Sequence, residues 1–98
     1  GTWKKSKGVM ANGELFNENN YTCAVYGYKF GTILKVTNTE TSASVQVVVK
    51  DRIGKRFKGK RIDLSRKSFE QIANLRQGII PVKVEVIKGG EYEKNRKE

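Results

Sequence analysis

Three segments of this chain alternate apolar and polar residues, and that pattern constrains the fold more than any other feature. They are Thr32–Thr37, Ser44–Val49 and Val82–Ile87. Alternation with a period of two residues is typical of strands that bury one face. The polar connection Asn38–Ser42 predicts a hairpin between the first two strands, because residues of this kind favour turns. Pro81 stands at the entrance of the third strand, where its missing N–H costs least.

One helix is predicted among these strands. Ser65 is a suitable N-cap for a helix over Arg66–Leu75. In that helix Phe69, Ile72 and Ala73 share one face, which the fold can bury.

The chain has 98 residues, enough for one domain and too few for two. Shorter strands are expected near Gly1–Lys5, Gly8–Asn12 and Arg61–Ile62. The polar segment Gly89–Glu98 has little to bury. We therefore predict one domain over residues 1–88 and a flexible polar tail over residues 89–98.

The net charge of +10, from 20 basic and 10 acidic residues, favours an anionic partner. Nucleic acid, acidic lipid and an anionic wall polymer all fit this charge. The basic segment Lys50–Lys67 holds nine of the cations and only two acids, Asp51 and Asp63. A solvated surface loop is the plain interpretation of such a run. The imbalance exceeds what solubility needs, so we predict a docking surface for anions.

Cysteine and histidine usage limits the chemistry. The chain contains one cysteine, Cys23, and no histidine, so a disulfide within the chain and a Cys/His metal site are excluded. Cys23 lies in an apolar context without a partner base, which predicts a buried structural thiol. We expect no metal and no cofactor. No apolar run approaches the roughly 18 residues of a membrane span.

Six blocks, in order and at familiar spacings, resemble the rare lipoprotein A family, which is related to the expansins and barwin-like domains. The blocks are Met10–Phe16 (MANGELF), Tyr21–Ala24 (YTCA), Lys29–Asn38 (KFGTILKVTN), Val48–Arg52 (VVKDR), Gly59–Ser65 (GKRIDLS) and Gly78–Val86 (GIIPVKVEV). The resemblance implies a mainly β fold, a six-stranded double-psi β-barrel with one or two short helices. It also implies an exported protein of the periplasm or cell envelope, lipid-anchored in its full-length form.

Active members of the family resemble lytic transglycosylases, which cut the glycan strands of peptidoglycan. The family's catalytic aspartate corresponds to Asp51, so the resemblance assigns it the catalytic role. The family histidine is replaced by Val25, and a further acidic position is replaced by Asn17. A single carboxyl group must then act first as acid and later as base. Whether the domain is an enzyme is left open by this mixture of retained and replaced positions.

The same resemblance indicates residues that contact the substrate. They are Glu14, Asn17, Thr22, Val25, Tyr26, Arg52, Lys55 and Arg56. Among the structural residues, Asp63 and Ser65 are expected to bond backbone groups around the helix start.

Three functions follow as hypotheses. The first is a domain that binds peptidoglycan glycan strands, or another anionic wall polymer, with weak or lost cleavage. The second is an active lytic transglycosylase that uses Asp51. The third is a nucleic-acid binder based on charge alone, which is disfavoured because the aromatic residues, Phe57 excepted, do not interleave with the basic run. We expect a monomer without a transmembrane segment in this chain.

Overall fold

The computed structural model describes residues 21–89 and, in addition, the backbone of residues 2–3 and 5–7. The elements are β1 (Thr2–Trp3), β2 (Lys5–Lys7), β3 (Thr22–Val25), β4 (Ile33–Asn38), β5 (Ser44–Asp51), β6 (Arg61–Leu64), α1 (Arg66–Ile72) and β7 (Val82–Lys88). Two single-turn 3₁₀ helices, Lys55–Phe57 and Leu75–Gln77, complete the described part.

All strands belong to one sheet, with the order β1-β7-β4-β5-β3-β6-β2. Only Lys4 separates β1 from β2 in the sequence. β1 pairs antiparallel with β7 at one edge of the sheet, and β2 pairs parallel with β6 at the other. β1 and β2 adjoin in the sequence and count as one strand, which pairs with both edges of the five strands β3–β7; counted this way, the barrel has six strands. The predicted mainly β barrel is confirmed.

The core forms because alternate residues of the strands point inward. Its side chains are Cys23, Val25, Leu34, Val36, Val47, Val49, Ile62, Leu64, Phe69, Ile72, Ile80, Val82 and Val84. The three predicted strands are present with ends shifted by one or two residues, as Ile33–Asn38, Ser44–Asp51 and Val82–Lys88. The candidate strand near Gly8–Asn12 lies outside the described residues.

One strand was not predicted, and one expectation needs correction. Thr22–Val25 is a strand that the pattern did not reveal, because all four of its residues are buried and no alternation remains. The basic segment Lys50–Lys67 is not one loop, because β6 runs through it from Arg61 to Leu64.

The helix begins as predicted and ends earlier. Ser65 caps α1 by accepting a hydrogen bond from the Ser68 backbone N–H at 3.2 Å. The helix stops at Ile72 rather than Leu75. Asn74 begins a separate turn there, in which its side chain accepts from the Arg76 N–H at 2.9 Å.

A buried asparagine fastens the helix end to the β4–β5 hairpin. The Asn38 Nδ2 donates to the Ile72 carbonyl at 2.8 Å, and its Oδ1 accepts from the Glu40 N–H at 2.9 Å. Asn38 is only 1% exposed, so both backbone groups depend on it rather than on water.

Asn38→Ala is expected to destabilise the fold by about 1–3 kcal/mol, because it leaves buried polar groups without a partner. Asn74→Ala is the control: it removes a cap at an exposed turn and should cost about 1 kcal/mol or less. Urea unfolding of both variants measures the difference. Equal losses would show that the Asn38 contacts contribute no more than an exposed cap.

Candidate functional site

Asp51 lies at the last position of β5, where the strand leaves the barrel. One of its carboxylate oxygens, Oδ1, accepts a hydrogen bond from the Arg52 backbone N–H at 2.7 Å. The residue is half-buried. Asp51 thus presents a carboxylate at the rim of the barrel with one oxygen already anchored.

A β-bulge sets the position of this carboxylate. Cys23 pairs with Val49, and the next residue of β3, Ala24, pairs with Asp51. Lys50 is therefore left without a partner on β3 and the register shifts by one. Without the bulge, Ala24 would face Lys50 instead.

A second carboxyl residue lies on the other side of Ala24. Asp63 on β6 is the antiparallel partner of Ala24, as Asp51 is its parallel partner. Neighbouring strands are about 4.8 Å apart, so the two aspartate Cα atoms are separated by roughly 10 Å. Asp63 is only 2% exposed and forms an ion pair with Arg61, with Nε donating to Oδ1 at 2.8 Å. Asp51 is consequently the more accessible of the two.

A groove of about 380 Å³ opens beside Arg52, and its lining residues are Tyr26, Gly27, Tyr28, Lys29 and Arg52. The segment that follows β3 forms most of this groove. Gly27 has a φ of 101°, a left-handed conformation that favours glycine and turns the chain away from the barrel.

Backbone hydrogen bonds hold the groove segment against β5. The Gly31 N–H donates to the Val49 carbonyl at 2.8 Å, and the Val49 N–H donates to the Thr32 carbonyl at 2.9 Å. The groove wall is thereby fixed relative to Asp51, two residues further along β5.

Two phenylalanines extend the aromatic surface and hold arginines over their rings. Arg52 lies with its guanidinium carbon 5.5 Å from the centre of the Phe30 ring, which is 39% exposed. Arg56 and Arg61 lie 4.8 and 4.7 Å from the Phe57 ring centre. Such cation–π contacts restrict the arginine rotamers.

The structure brings only part of the sequence-predicted site together. Asp51 and Arg52 are adjacent, and Tyr26 lines the groove with Arg52. Lys55 and Arg56 lie on the exposed 3₁₀ turn. Glu14 and Asn17 lie outside the described residues.

Thr22 and Val25 do not belong to the groove surface. Thr22 is buried, and its backbone N–H donates to the Ser65 Oγ at 3.3 Å. Val25 is 0% exposed and packs in the barrel core. The expectation that Val25 contacts the substrate does not fit this position, because alternation along β3 turns Cys23 and Val25 to the same, inner side.

Sequence reasoning did not assign Tyr28 and Lys29 to the groove, nor Phe30 to its contact with Arg52. Asp63 accepts from the Arg61 guanidinium, a contact that the sequence analysis did not name, and its expected bonds to backbone groups stay a prediction. Alternation along β6 would have placed Arg61 and Asp63 on one face. Ser65 does cap the helix as expected.

Cys23 is a buried thiol in the core, as predicted. Burial raises the pKa of the Cys23 thiol well above its ordinary value, and the nearby Asp63 charge raises it further. The group therefore stays protonated and is a poor nucleophile.

Neither a metal cluster nor a spanning helix is found in the part of the chain that the structure describes. Among those residues no three His, Cys, Asp or Glu side chains come together as metal ligands. No described helix has the length and apolar character needed to cross a membrane.

Comparison with known proteins identifies relatives that share this architecture. A family model described as "Lytic transglycolase" matches residues 2–84. An uncharacterised Synechocystis protein, ssl3177, is 43% identical over 75 residues, which cover 76% of this chain and 78% of that protein. The endolytic peptidoglycan transglycosylase RlpA of Campylobacter jejuni is 42% identical over 77 residues, 79% of this chain and only 28% of the enzyme.

Solved structures show the same fold. The apo expansin of Clavibacter michiganensis superimposes with a TM-score of 0.69 at 20% identity, covering 87% of this chain and 49% of the expansin. A mutant of that expansin in complex with cellohexaose gives a TM-score of 0.60 at 26% identity, covering 82% and 38% of the two chains.

The matched segment, the closed barrel and the shared motif blocks lead to one assignment. This chain belongs to the lytic transglycolase family of rare lipoprotein A-like double-psi β-barrel domains.

Proposed function

We propose that this domain binds cell-wall glycan in the groove beside Asp51 and cleaves it weakly or not at all. The observation that carries the proposal is the exposed groove of Tyr26, Tyr28, Lys29 and Arg52, in which Arg52 directly follows the rim residue Asp51 and its backbone N–H bonds the Asp51 carboxylate. Relatives named as peptidoglycan transglycosylases support peptidoglycan as the glycan.

The groove has the groups that sugar binding requires. Tyrosine rings offer apolar faces for pyranose rings and hydroxyls for hydrogen bonds. The Arg52 guanidinium donates hydrogen bonds in a fixed fork. The second oxygen of Asp51 accepts from sugar hydroxyls while the first stays bonded to the Arg52 N–H. The groove therefore combines stacking with polar contacts.

Efficient cleavage is disfavoured by what surrounds the carboxylate. The chain contains no histidine, and the residue in place of the family's histidine, Val25, is buried in the core. No imidazole therefore assists or positions Asp51. Loss of one acid–base group typically costs about 10²–10⁴-fold in rate.

An active lytic transglycosylase that uses Asp51 is the second candidate. The observation that favours it is the second carboxyl residue, Asp63, across Ala24. Enzymes that act on glycosidic bonds typically use a pair of carboxyl groups. Against it stands the Arg61 ion pair, which engages both Asp63 oxygens at 2.8 and 3.5 Å.

The location follows from the substrate. Peptidoglycan lies outside the cytoplasmic membrane, so the protein that carries this domain is exported to the periplasm or cell envelope. Anchoring by lipid in the full-length protein is part of the same proposal.

Asp51→Asn is expected to weaken binding to purified peptidoglycan by about 3–10-fold, the effect of losing one charged hydrogen-bond acceptor. Sedimentation with sacculi measures the affinity. Glu70→Gln, a matched change on the exposed side of α1, is the control and should bind as the unmodified chain does. Equal binding by all three proteins would place the glycan away from Asp51.

Incubation of the unmodified chain with sacculi is expected to release few or no anhydro-muropeptides. Mass spectrometry of the soluble fraction measures these products. Robust release that disappears in Asp51→Asn would establish the second candidate, an active lytic transglycosylase.

Val25→His is expected to destabilise the barrel by about 2 kcal/mol or more rather than restore cleavage, because it buries an imidazole in an apolar core. Val86→His is the matched control on β7, where the side chain is 55% exposed, and should be nearly neutral. Thermal unfolding of the two variants measures the difference. A stable, cleaving Val25→His variant would show that this position opens to the groove.

A further inference from the structure

The loop between β5 and β6, Arg52–Lys60, concentrates charge on a compact scaffold. Its nine residues include five cations and no acid: Arg52, Lys55, Arg56, Lys58 and Lys60. Successive turns fold the loop back on itself, with the Phe57 N–H donating to the Gly54 carbonyl at 3.0 Å and the Lys60 N–H to the Phe57 carbonyl at 2.9 Å. The five exposed cations are therefore held close together.

These cations have no anionic partner among the residues that the structure describes. The ion pairs found there are Arg61–Asp63 and Lys83–Glu85, neither of which includes a residue of the loop. Clustered like charges repel one another and raise the free energy of the folded chain. An external anion removes that cost.

The Phe57 ring holds two arginine side chains in place. The ring is half-buried and holds the guanidinium groups of Arg56 and Arg61 within 5 Å of its centre, at 4.8 and 4.7 Å. Arg61 also reaches down to Asp63 on the barrel. These contacts restrict the Arg56 and Arg61 side chains at the C-terminal part of the loop before any anion binds. Binding then costs less side-chain entropy.

The loop is continuous with the groove. It starts at Arg52, which lines the groove. It ends at Lys60, just before Arg61, whose guanidinium pairs with Asp63 on β6. A polymer that lies in the groove and extends beyond Asp51 meets these cations. The only large apolar residues of the loop, Ile53 and Phe57, are both half-buried, whereas a membrane-inserting loop exposes such residues.

We propose that the β5–β6 loop binds the free carboxylates that peptidoglycan carries, so that the domain prefers wall polymer with free carboxylates to wall polymer in which they are neutralised. The proposal rests on glycan binding in the groove and adds the chemical group that the loop recognises. Arginine forks match planar carboxylates, and lysines add long-range attraction that salt screens.

The test measures sedimentation with three preparations of sacculi: untreated, treated with carbodiimide and ammonia to convert carboxylates to amides, and treated with hydrofluoric acid to remove phosphodiester-linked polymers. The unmodified chain is expected to bind amidated sacculi about fivefold to tenfold more weakly than untreated ones, because two or more exposed ion pairs are lost. Removal of phosphate polymers should leave its binding unchanged.

The double variant Lys55→Gln/Lys58→Gln is expected to bind untreated sacculi about fivefold to tenfold more weakly than the unmodified chain does. Amidation of the sacculi should not weaken the binding of this variant any further. The control Arg76→Gln/Lys83→Gln removes the same charge from exposed positions outside the loop and should keep the preference for untreated sacculi. Circular dichroism verifies that both variants fold.

The alternatives give distinct results. If Asp51→Asn weakens binding while amidation and the loop variant change nothing, the groove proposal stands and the carboxylate proposal is wrong. If binding falls only after hydrofluoric acid treatment, the loop recognises phosphate and the proposal is also wrong. If no sacculi preparation binds at all, the glycan function itself fails.

Discussion

The architecture depends on β3, a four-residue strand that is hydrogen-bonded on both sides and buried on both faces. It pairs parallel with β5 and antiparallel with β6. Cys23 and Val25 fill the barrel interior from this strand, while Ala24 lies between the two aspartates. Because β3 joins the two strands that carry Asp51 and Asp63, its register determines where both carboxyl groups lie. The bulge at Lys50 therefore sets where the Asp51 carboxyl group lies relative to Asp63.

Pairing of the N-terminal segment with both edges of the sheet also helps to fix the position of the barrel rim. A short sheet in a chain of this size gains stability when its edges pair with each other. The N-terminal segment does this by pairing β1 with β7 and β2 with β6. The rim at the end of β5 is then held by a continuous network, and the groove segment is bonded to Val49 within it. A rigid rim suits a site that must hold a long polymer in one orientation.

Sequence reasoning predicted the elements whose pattern is local. The alternating strands β4, β5 and β7 and the capped start of α1 all carry such a signal. Strand β3 carries none, because burial on both faces removes the alternation. The early end of α1 depends on Asn38, more than thirty residues away, whose amide bonds the Ile72 carbonyl.

Less of the site than of the fold was predictable from the sequence, because most of its contacts join residues that carry no local pattern. Asp51 and Arg52 were identified through motif blocks; Arg52 lines the groove, and Asp51 precedes it at the end of β5. The position of Val25 was misjudged, although counting alternate residues from Cys23 would have placed it inside. Tyr28 had no signal and Lys29 only its place at the start of a motif block, since the chain around Gly27 brings them to the groove. Such contacts between loops depend on tertiary structure that no local pattern encodes.

Glycan bound in the groove beside Asp51 would shift the resonances of the backbone amides around it. The most direct test is a two-dimensional ¹⁵N–¹H NMR titration of the labelled chain with soluble peptidoglycan glycan fragments. The account predicts shifts concentrated at the amides of Tyr26–Lys29 and Asp51–Arg52, with little change along α1. Shifts confined to α1 and β7, with the groove amides unmoved at saturation, would contradict it.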